Sequence, residues 1–167
     1  MKKILLKLPS KYQEKLCDFF GNAVLSTNED MYFKRNQENR EKLLQDLING
    51  KKAEYMMFNY LHSVGKKVSP PDIMVYQVQS KNFEADLLFG KIKIHVKSCL
   101  QESIFPISWV FQPEDELVKN PTSNDFLALV VMSDNPYCYL IAASEVKYGN
   151  PIKESLNKAV IYESDLK

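Results

Sequence analysis

Apolar and polar positions recur with two different periods along the chain, and the change of period divides it into two parts. Up to about residue 65 the apolar residues follow helical spacing. Ser10 precedes a segment with apolar residues on one face, which predicts a helix with Ser10 as its N-cap. Residues 21–34 lack such a pattern and are predicted to be irregular.

Two more helices are predicted before the period changes. The first covers residues 36–48 and is expected to end at Asn49-Gly50. The second covers residues 51–64 and is expected to end at Gly65.

Strand patterns dominate after the break at Pro70-Pro71. Residues 126–132 form a continuous apolar run, which is typical of a strand buried on both faces. The length of 167 residues favours one domain, and helices followed by strands favour an α/β or α+β sandwich. The predicted strands are 73–78, 83–89, 92–99, 107–112, 126–132, 137–143 and 159–162, with a short acidic helix at 113–119.

Composition and charge bear on the cellular compartment of the chain and on its partners. The net charge of +1 gives no global field toward nucleic acid or membrane. The three cysteines form no CxxC pair, and an odd number of them suits a reducing compartment. Nothing approaches the roughly 18 apolar residues of a membrane span. We therefore expect a cytoplasmic protein without a membrane partner.

Residues 83–97 are expected to form a hairpin whose two halves both alternate with period two. Gly90-Lys91 between them fits a two-residue type II′ turn, which favours glycine first. That turn fixes which residues lie opposite one another across the hairpin. The predicted pairs are Phe89 with Ile92, Leu88 with Lys93, Leu87 with Ile94, Asp86 with His95, and Glu84 with Lys97.

In this register one face of the hairpin is apolar and the other gathers chemically active side chains. Glu84, Asp86, His95 and Lys97 meet at one end, because opposed side chains on one face lie about 5 Å apart. A carboxylate and an imidazole can bind a divalent cation, and an ammonium can stabilise a hydroxide or a phosphate. The alternative is a solvated hairpin face.

Glu54 in the third predicted helix is the other candidate. It shares a stripe with Met57, Phe58 and Leu61, and an acid on a core-facing stripe needs a partner such as a metal or its bound water. The alternative is an acid placed near a helix start, where the helix dipole favours it.

Together these residues resemble the PD-(D/E)xK nuclease superfamily, which includes restriction enzymes, Holliday-junction resolvases and phage or intron-encoded endonucleases. Its pattern is a glutamate on a helix, an acid on one strand of a hairpin, and an acid-x-lysine on the next. The matching pieces are Glu54 within Gly50-Lys51-Lys52-Ala53-Glu54, then Asp86, then His95-Val96-Lys97, inside a resemblance that spans about residues 50–132.

Two features depart from the superfamily pattern. His95 stands where the acid of acid-x-lysine is usual, although the superfamily tolerates variants there. Pro71-Asp72 is a literal Pro-Asp and offers a second choice for the first acid. Asp86 is preferred because the hairpin register places it opposite His95.

The resemblance implies a three-layer α/β/α sandwich with a mixed central sheet, in a single nuclease domain over residues 1–167. Within it, residues 1–49 would be a helical part and residues 50–132 the catalytic core. The implied activity is that of an endonuclease that hydrolyses DNA with Mg²⁺ or Mn²⁺ and cleaves both strands at specific sites. A symmetric homodimer or higher oligomer is expected, because one site cuts one strand.

The resemblance also implies a role for each site residue. Asp86 would be the main metal ligand, His95 would be a second ligand or would orient one, and the Val96 carbonyl would complete the shell. Glu54 would hold a metal-bound water, and Lys97 would activate the attacking water or stabilise charge. The lysines expected to contact DNA phosphates are Lys51, Lys52, Lys91 and Lys93, with Lys66 and Lys67 as further candidates.

Two alternative functions remain open at this point. One is a structure-specific nuclease, such as a Holliday-junction enzyme. The other is a nucleic-acid-binding or assembly subunit that has this fold without catalysis, which the departure at His95 favours.

Overall fold

The computed structural model describes residues 1–34, 39–76, 85–153 and 155–166. The helices are α1 (Lys11–Thr27), α2 (Glu29–Lys34), α3 (Arg40–Ser63) and α4 (Glu116–Lys119). The strands are β1 (Ile4–Leu5), β2 (Leu87–Phe89), β3 (Ile92–Leu100), β4 (Ser108–Phe111), β5 (Asp125–Met132), β6 (Tyr137–Ala142) and β7 (Ala159–Tyr162).

Helix α1 begins as predicted but runs further along the chain. Ser10 and Gln13 form a reciprocal capping box at its start. The prediction that residues 21–34 are irregular is wrong, because α1 continues to Thr27 and α2 follows it. The continuation is explained by packing on α3. A Cβ atom at Gly21 would lie only 2.6 Å from Ile48 Cγ1, so only glycine permits this approach of the two helices.

Helix α3 is a single helix of 24 residues where two were predicted. The predicted stop at Asn49-Gly50 is wrong, and the predicted start at residue 36 lies outside the described residues. A glycine inside a helix costs about 1 kcal/mol. Burial of Met56 and Met57, both 0% exposed, outweighs that cost. The predicted helix end is confirmed, with Gly65 at φ +78° just beyond it.

The central sheet is mixed, as expected, with strand order β1-β6-β5-β3-β2. Strands β3 and β5 are parallel, and the other neighbours are antiparallel. Three pairs of the predicted hairpin register are confirmed: Leu87 with Ile94, Leu88 with Lys93 and Phe89 with Ile92. The ladder ends there, so the predicted pair of Asp86 with His95 is not formed. Gly90 has φ +60°, as a primed two-residue turn requires.

Two predicted strands are only partly described. Residues 73–76 form no regular element, while residues 77–78 lie outside the described residues. Residues 83–84 also lie outside them, so the predicted pair of Glu84 with Lys97 is not described. The short strand β1, which pairs with β6, was not predicted.

The two faces of the central sheet are covered differently. The α3 face packs Met56 and Met57 against Ala128 and Val130. The other face is covered by a two-stranded sheet of β4 and β7, together with the four-residue helix α4. The fold is therefore mixed α/β. The expected α/β/α sandwich would have helices on both faces of the central sheet, but strands form most of the layer on this second face. Strand β5 is buried on both faces, as predicted. No helix in the described part of the chain is long and apolar enough to cross a membrane.

Candidate functional site

Glu54 and Lys51 form a buried ion pair on α3. Lys51 Nζ donates to Glu54 Oε2 at 2.6 Å and to the carbonyl oxygen of Asp72 at 2.7 Å. The spacing of three residues puts both side chains on one side of the helix. The ammonium also lies 4.4 Å from the centre of the Phe20 ring, a cation–π distance. Lys51, expected to contact DNA phosphates, is therefore held inside the protein, with only 7% of its surface exposed.

The carboxyl group of Glu54 titrates far from its ordinary range. Burial raises the pKa of Glu54 to about 8, and the charges of Asp86 and Asp72 also raise it. The Lys51 ammonium opposes that rise without cancelling it. The pKa therefore lies close to neutral pH, so the balance between the ion pair with Lys51 and a protonated carboxyl group shifts with pH in that range. A cation arriving next to Glu54 would favour release of that proton.

Asp86 lies in the bend directly before β2 and not within the strand. Its Oδ2 accepts a hydrogen bond of 2.7 Å from the backbone N–H of Val96 on β3. The ladder between β2 and β3 ends at Leu87 and Ile94, so Asp86 satisfies an N–H group just beyond the last paired residues. The short loop of the hairpin thus positions the carboxylate beside β3.

A cavity of about 370 Å³ brings Glu54, Asp86 and Lys51 together. Helices α1, α2 and α3 and the segment 72–76 supply its walls. The remaining lining residues are largely apolar and aromatic: Phe20, Val24, Asn28, Met31, Tyr32, Asp46, Leu47, Gly50, Met74 and Tyr76. Two of the four residues predicted to be catalytic, Glu54 and Asp86, therefore share one cavity.

The other two predicted residues, His95 and Lys97, lie on the opposite face of the sheet. Residues of β3 alternate between the two faces. Ile94 and Val96 pack in the α3-side core, whereas the Lys97 ammonium lies 5.4 Å from the ring of Phe111, which belongs to the core on the β4–β7 side. The described residues do not bring His95 and Lys97 together with Glu54.

His95 is bound to Asp125, a residue that the sequence analysis did not select. His95 Nε2 lies 3.1 Å from Asp125 Oδ1. Thr122 donates to Asp125 Oδ2 from its N–H at 2.8 Å and from its hydroxyl at 2.6 Å. Burial alone would raise the pKa of Asp125, but these bonds from Thr122 and His95 bring it below its ordinary value. The ionised carboxylate can only accept, so Nε2 carries the proton and Nδ1 is left as an acceptor in the neutral ring.

A sequence signal for Asp125 did exist. It is an acid directly before the apolar run 126–132, three residues after a threonine. A buried acid at such a position needs donors.

Asp72, the alternative first acid, shapes the cavity wall. Its Oδ1 accepts from the N–H of Met74 and its Oδ2 from the hydroxyl of Tyr76, both at 2.8 Å. Its carbonyl receives the Lys51 ammonium. Asn28 donates from its amide nitrogen to the carbonyl oxygens of Val24 and Tyr76. These bonds join the segment 72–76 to α1 and α3, so the cavity wall is preformed.

The other lysines expected to contact phosphate are more accessible than Lys51. Lys91 and Lys93 are exposed on the hairpin, and Lys52 is partly buried on α3. Lys66 and Lys67 follow α3 and are exposed as well.

The donor set in the cavity suits a weakly held divalent ion. Among the described residues no group of three or more histidine, cysteine or acidic side chains could hold a metal. Mg²⁺ is commonly bound through one or two carboxylates, with water and substrate phosphate filling the remaining positions. Glu54 and Asp86 are carboxylates of the cavity that could take part in such an arrangement, and Asp46 is a third carboxylate in its lining. Comparison of the chain with protein-family models, with curated proteins and with solved structures returned no match.

Proposed function

We propose that this chain is a divalent-metal-dependent hydrolase of DNA phosphodiesters, with its site in the cavity between α3 and the hairpin. The observation that carries the proposal is the meeting of Glu54, Asp86 and Lys51 in that cavity. Two carboxylates and an ammonium are the groups that phosphoryl transfer to water requires: ligands for a cation, a proton acceptor and a positive charge. The hairpin that presents Asp86 has the predicted register.

Each residue of the cavity has a distinct proposed role. Asp86 and Glu54 would hold Mg²⁺ or Mn²⁺, which when bound supplies Lewis-acid activation of the phosphate and of water. A carboxylate oxygen of Glu54 that is not bound to the cation would accept a proton from the attacking water. The Lys51 ammonium stabilises negative charge that develops on the phosphate oxygens.

We propose Lys51, in place of Lys97, as the lysine of the site. Lys51 Nζ is 2.6 Å from Glu54, whereas Lys97 extends from the other face of the sheet toward Phe111. Under this assignment His95 and the Val96 carbonyl are not ligands in the cavity. His95 instead joins β3 to the start of β5 through Asp125.

The experiment is a comparison of cleavage rates on labelled single-stranded, duplex and branched DNA with Mg²⁺, with Mn²⁺ and with a chelator. We expect cleavage that the chelator abolishes. Lys51→Met should lower the rate by at least about 100-fold, the scale of losing one preorganised charge contact. Lys97→Met is the matched control and should retain a rate close to wild type. A loss of cleavage in Lys97→Met alone would instead place the catalytic site on the other face of the sheet.

A non-catalytic role in nucleic-acid binding or assembly is the second candidate. The observation that favours it is the Lys51–Glu54 pair, in which the two groups already satisfy each other without a metal. Under this alternative, no DNA is cleaved with either metal, while binding to DNA persists and weakens with salt.

DNA, a symmetric oligomer and a cytoplasmic setting complete the proposal. Cleavage of both strands at one place would need two copies of a single site, related by symmetry. Light scattering in the presence and absence of duplex DNA tests the oligomer. A monomer in both conditions would limit the activity to one strand. Preference for branched DNA in the cleavage assay would identify a structure-specific enzyme.

A further inference from the structure

The cavity is larger and more aromatic than two metal-binding carboxylates require. Phe20 on α1, Tyr32 on α2 and Tyr76 in the segment 72–76 all line it, together with Met31 and Met74. A volume of about 370 Å³ lies within the range of small-molecule sites, which begins near 300 Å³. A metal ion with its water molecules fills only a small part of that space, so most of the cavity is available to a flat organic group.

We propose that the cavity receives one unpaired nucleotide of the DNA substrate, with the base against the aromatic walls and its phosphate toward Glu54, Asp86 and Lys51. This inference rests on the proposed function for the direction of the phosphate. The inference about the base rests on the aromatic lining, because every nucleobase has a face that stacks on such rings. The acids are collected on α3 and the hairpin, while the rings come from α1, α2 and the segment 72–76.

The aromatic wall of the cavity is held by hydrogen bonds, which favours a rigid ligand such as a base over a flexible one. Tyr76 is tied by its hydroxyl to Asp72 and by its carbonyl to Asn28. Asp72 in turn receives the Lys51 ammonium. Because these bonds already hold the aromatic wall, little ordering cost falls on binding.

An unpaired nucleotide is the substrate class that this geometry selects. A base inside a duplex is stacked on both sides and paired, so it reaches a cavity of this kind only after it leaves the helix. Single strands, frayed ends and flaps present such a base without that cost. The protein should therefore prefer unpaired DNA to a blunt duplex of the same sequence.

The test separates the base from the phosphate. Binding is measured by fluorescence anisotropy with a labelled single strand, with the same strand made abasic at its central positions, and with the blunt duplex, all in Ca²⁺. We expect the abasic strand to bind between about five-fold and about one hundred-fold more weakly, the range for one stacked base. The duplex should also bind more weakly than the intact single strand.

Phe19 and Phe20 provide a matched pair of variants. Phe19 is an exposed neighbour on α1, with 67% of its surface accessible, and it does not line the cavity. Phe20→Ala should remove most of the difference between intact and abasic strands, whereas Phe19→Ala should preserve it. Circular dichroism confirms that each variant is folded.

The outcomes distinguish this inference from the proposed function. Preference for the intact strand without cleavage supports the nucleotide pocket and overturns the hydrolase. Metal-dependent cleavage with equal binding of intact and abasic strands overturns the pocket and leaves the hydrolase standing. Equal effects of Phe19→Ala and Phe20→Ala also overturn the pocket, and an absence of both binding and cleavage overturns both proposals.

Discussion

The buried carboxyl group of Glu54 should make stability fall as pH rises, and Glu54→Gln should remove that dependence. Burial raises the pKa of Glu54 to about 8, whereas the unfolded chain has the ordinary value near 4.5. Between these values the folded state holds a proton that the unfolded state has lost. The stabilisation is therefore complete below about pH 4.5 and is lost as pH rises through about 8. Glutamine keeps the shape of the side chain and cannot titrate.

The size of the effect follows from proton linkage. One proton bound only in the folded state changes the free energy of unfolding by about 1.4 kcal/mol per pH unit. With the two pKa values above, the contribution of Glu54 falls by roughly 2.5 kcal/mol between pH 5 and pH 7. A folded-state pKa one unit lower would still give a fall of about 2 kcal/mol, so the slope is large enough to measure.

The assay is urea unfolding at intervals from pH 5 to pH 8, with a chelator present, for wild type, Glu54→Gln and the control Asp134→Asn. Asp134 is an exposed acid in the turn before β6, so its variant should follow the wild-type profile. The free energy of unfolding of wild type should fall steadily relative to that of Glu54→Gln as pH rises. If the wild-type profile instead runs parallel to that of Glu54→Gln, or rises relative to it, Glu54 is ionised beside Lys51 throughout, and the reasoning about burial is refuted.

Three other predictions concern the fold and are each checked by urea unfolding. Gly50→Ala should raise the free energy of unfolding by about 0.5–1 kcal/mol, because Gly50 lies inside α3 and a Cβ there meets no atom within 4 Å. A lower free energy of unfolding would indicate strain in that turn of the helix. Leu129→Ala should lower it by about 2–5 kcal/mol, because Leu129 is 0% exposed, whereas Leu5→Ala at a 74% exposed position should lower it by less than about 1 kcal/mol. Asp125→Asn should destabilise the protein more at pH 7 than at about pH 2, because the pKa of Asp125 is lowered from 3.8 and the stability it contributes is lost only as pH falls below that value. Equal effects at both pH values would contradict the lowered pKa.

The hairpin could be predicted from the sequence because its determinants are local. Period-two alternation and a glycine at the turn fix the register, and the pairs of Leu87 with Ile94 and Phe89 with Ile92 follow from them. The capping box at Ser10 is equally local. The buried strand β5 was identifiable because an uninterrupted apolar run of this length is typical of a strand covered on both faces.

The site could be predicted only in part, because the missing information is tertiary. Alternation places His95 and Lys97 on one face, but it does not determine which layer covers that face. Pairing of β3 with β5 and the packing of β4 and β7 decide it, and they separate His95 and Lys97 from Glu54. Lys51 was expected to contact DNA phosphates because lysine is seldom buried. Its pair with Glu54 is local, but its bond to the carbonyl of Asp72, 21 residues further along the chain, is a tertiary contact.

The predicted helix boundaries were wrong for a related reason. Asn49-Gly50 is a reasonable helix stop by local preference, yet α3 runs through it because both of its halves are packed against other elements. Packing against α3 likewise explains why α1 extends to Thr27.

The most direct test of the central claim is the initial rate of single-strand DNA cleavage in Mn²⁺ for wild type, Asp86→Asn, Glu54→Gln and Asp134→Asn. Loss of a metal ligand should reduce the rate at least as much as the 10–100-fold that is typical for loss of a group supporting a ligand. We expect both cavity variants to fall by more than about 100-fold, while Asp134→Asn cleaves at the wild-type rate and a chelator stops all cleavage. Wild-type rates in Asp86→Asn and Glu54→Gln would contradict the account.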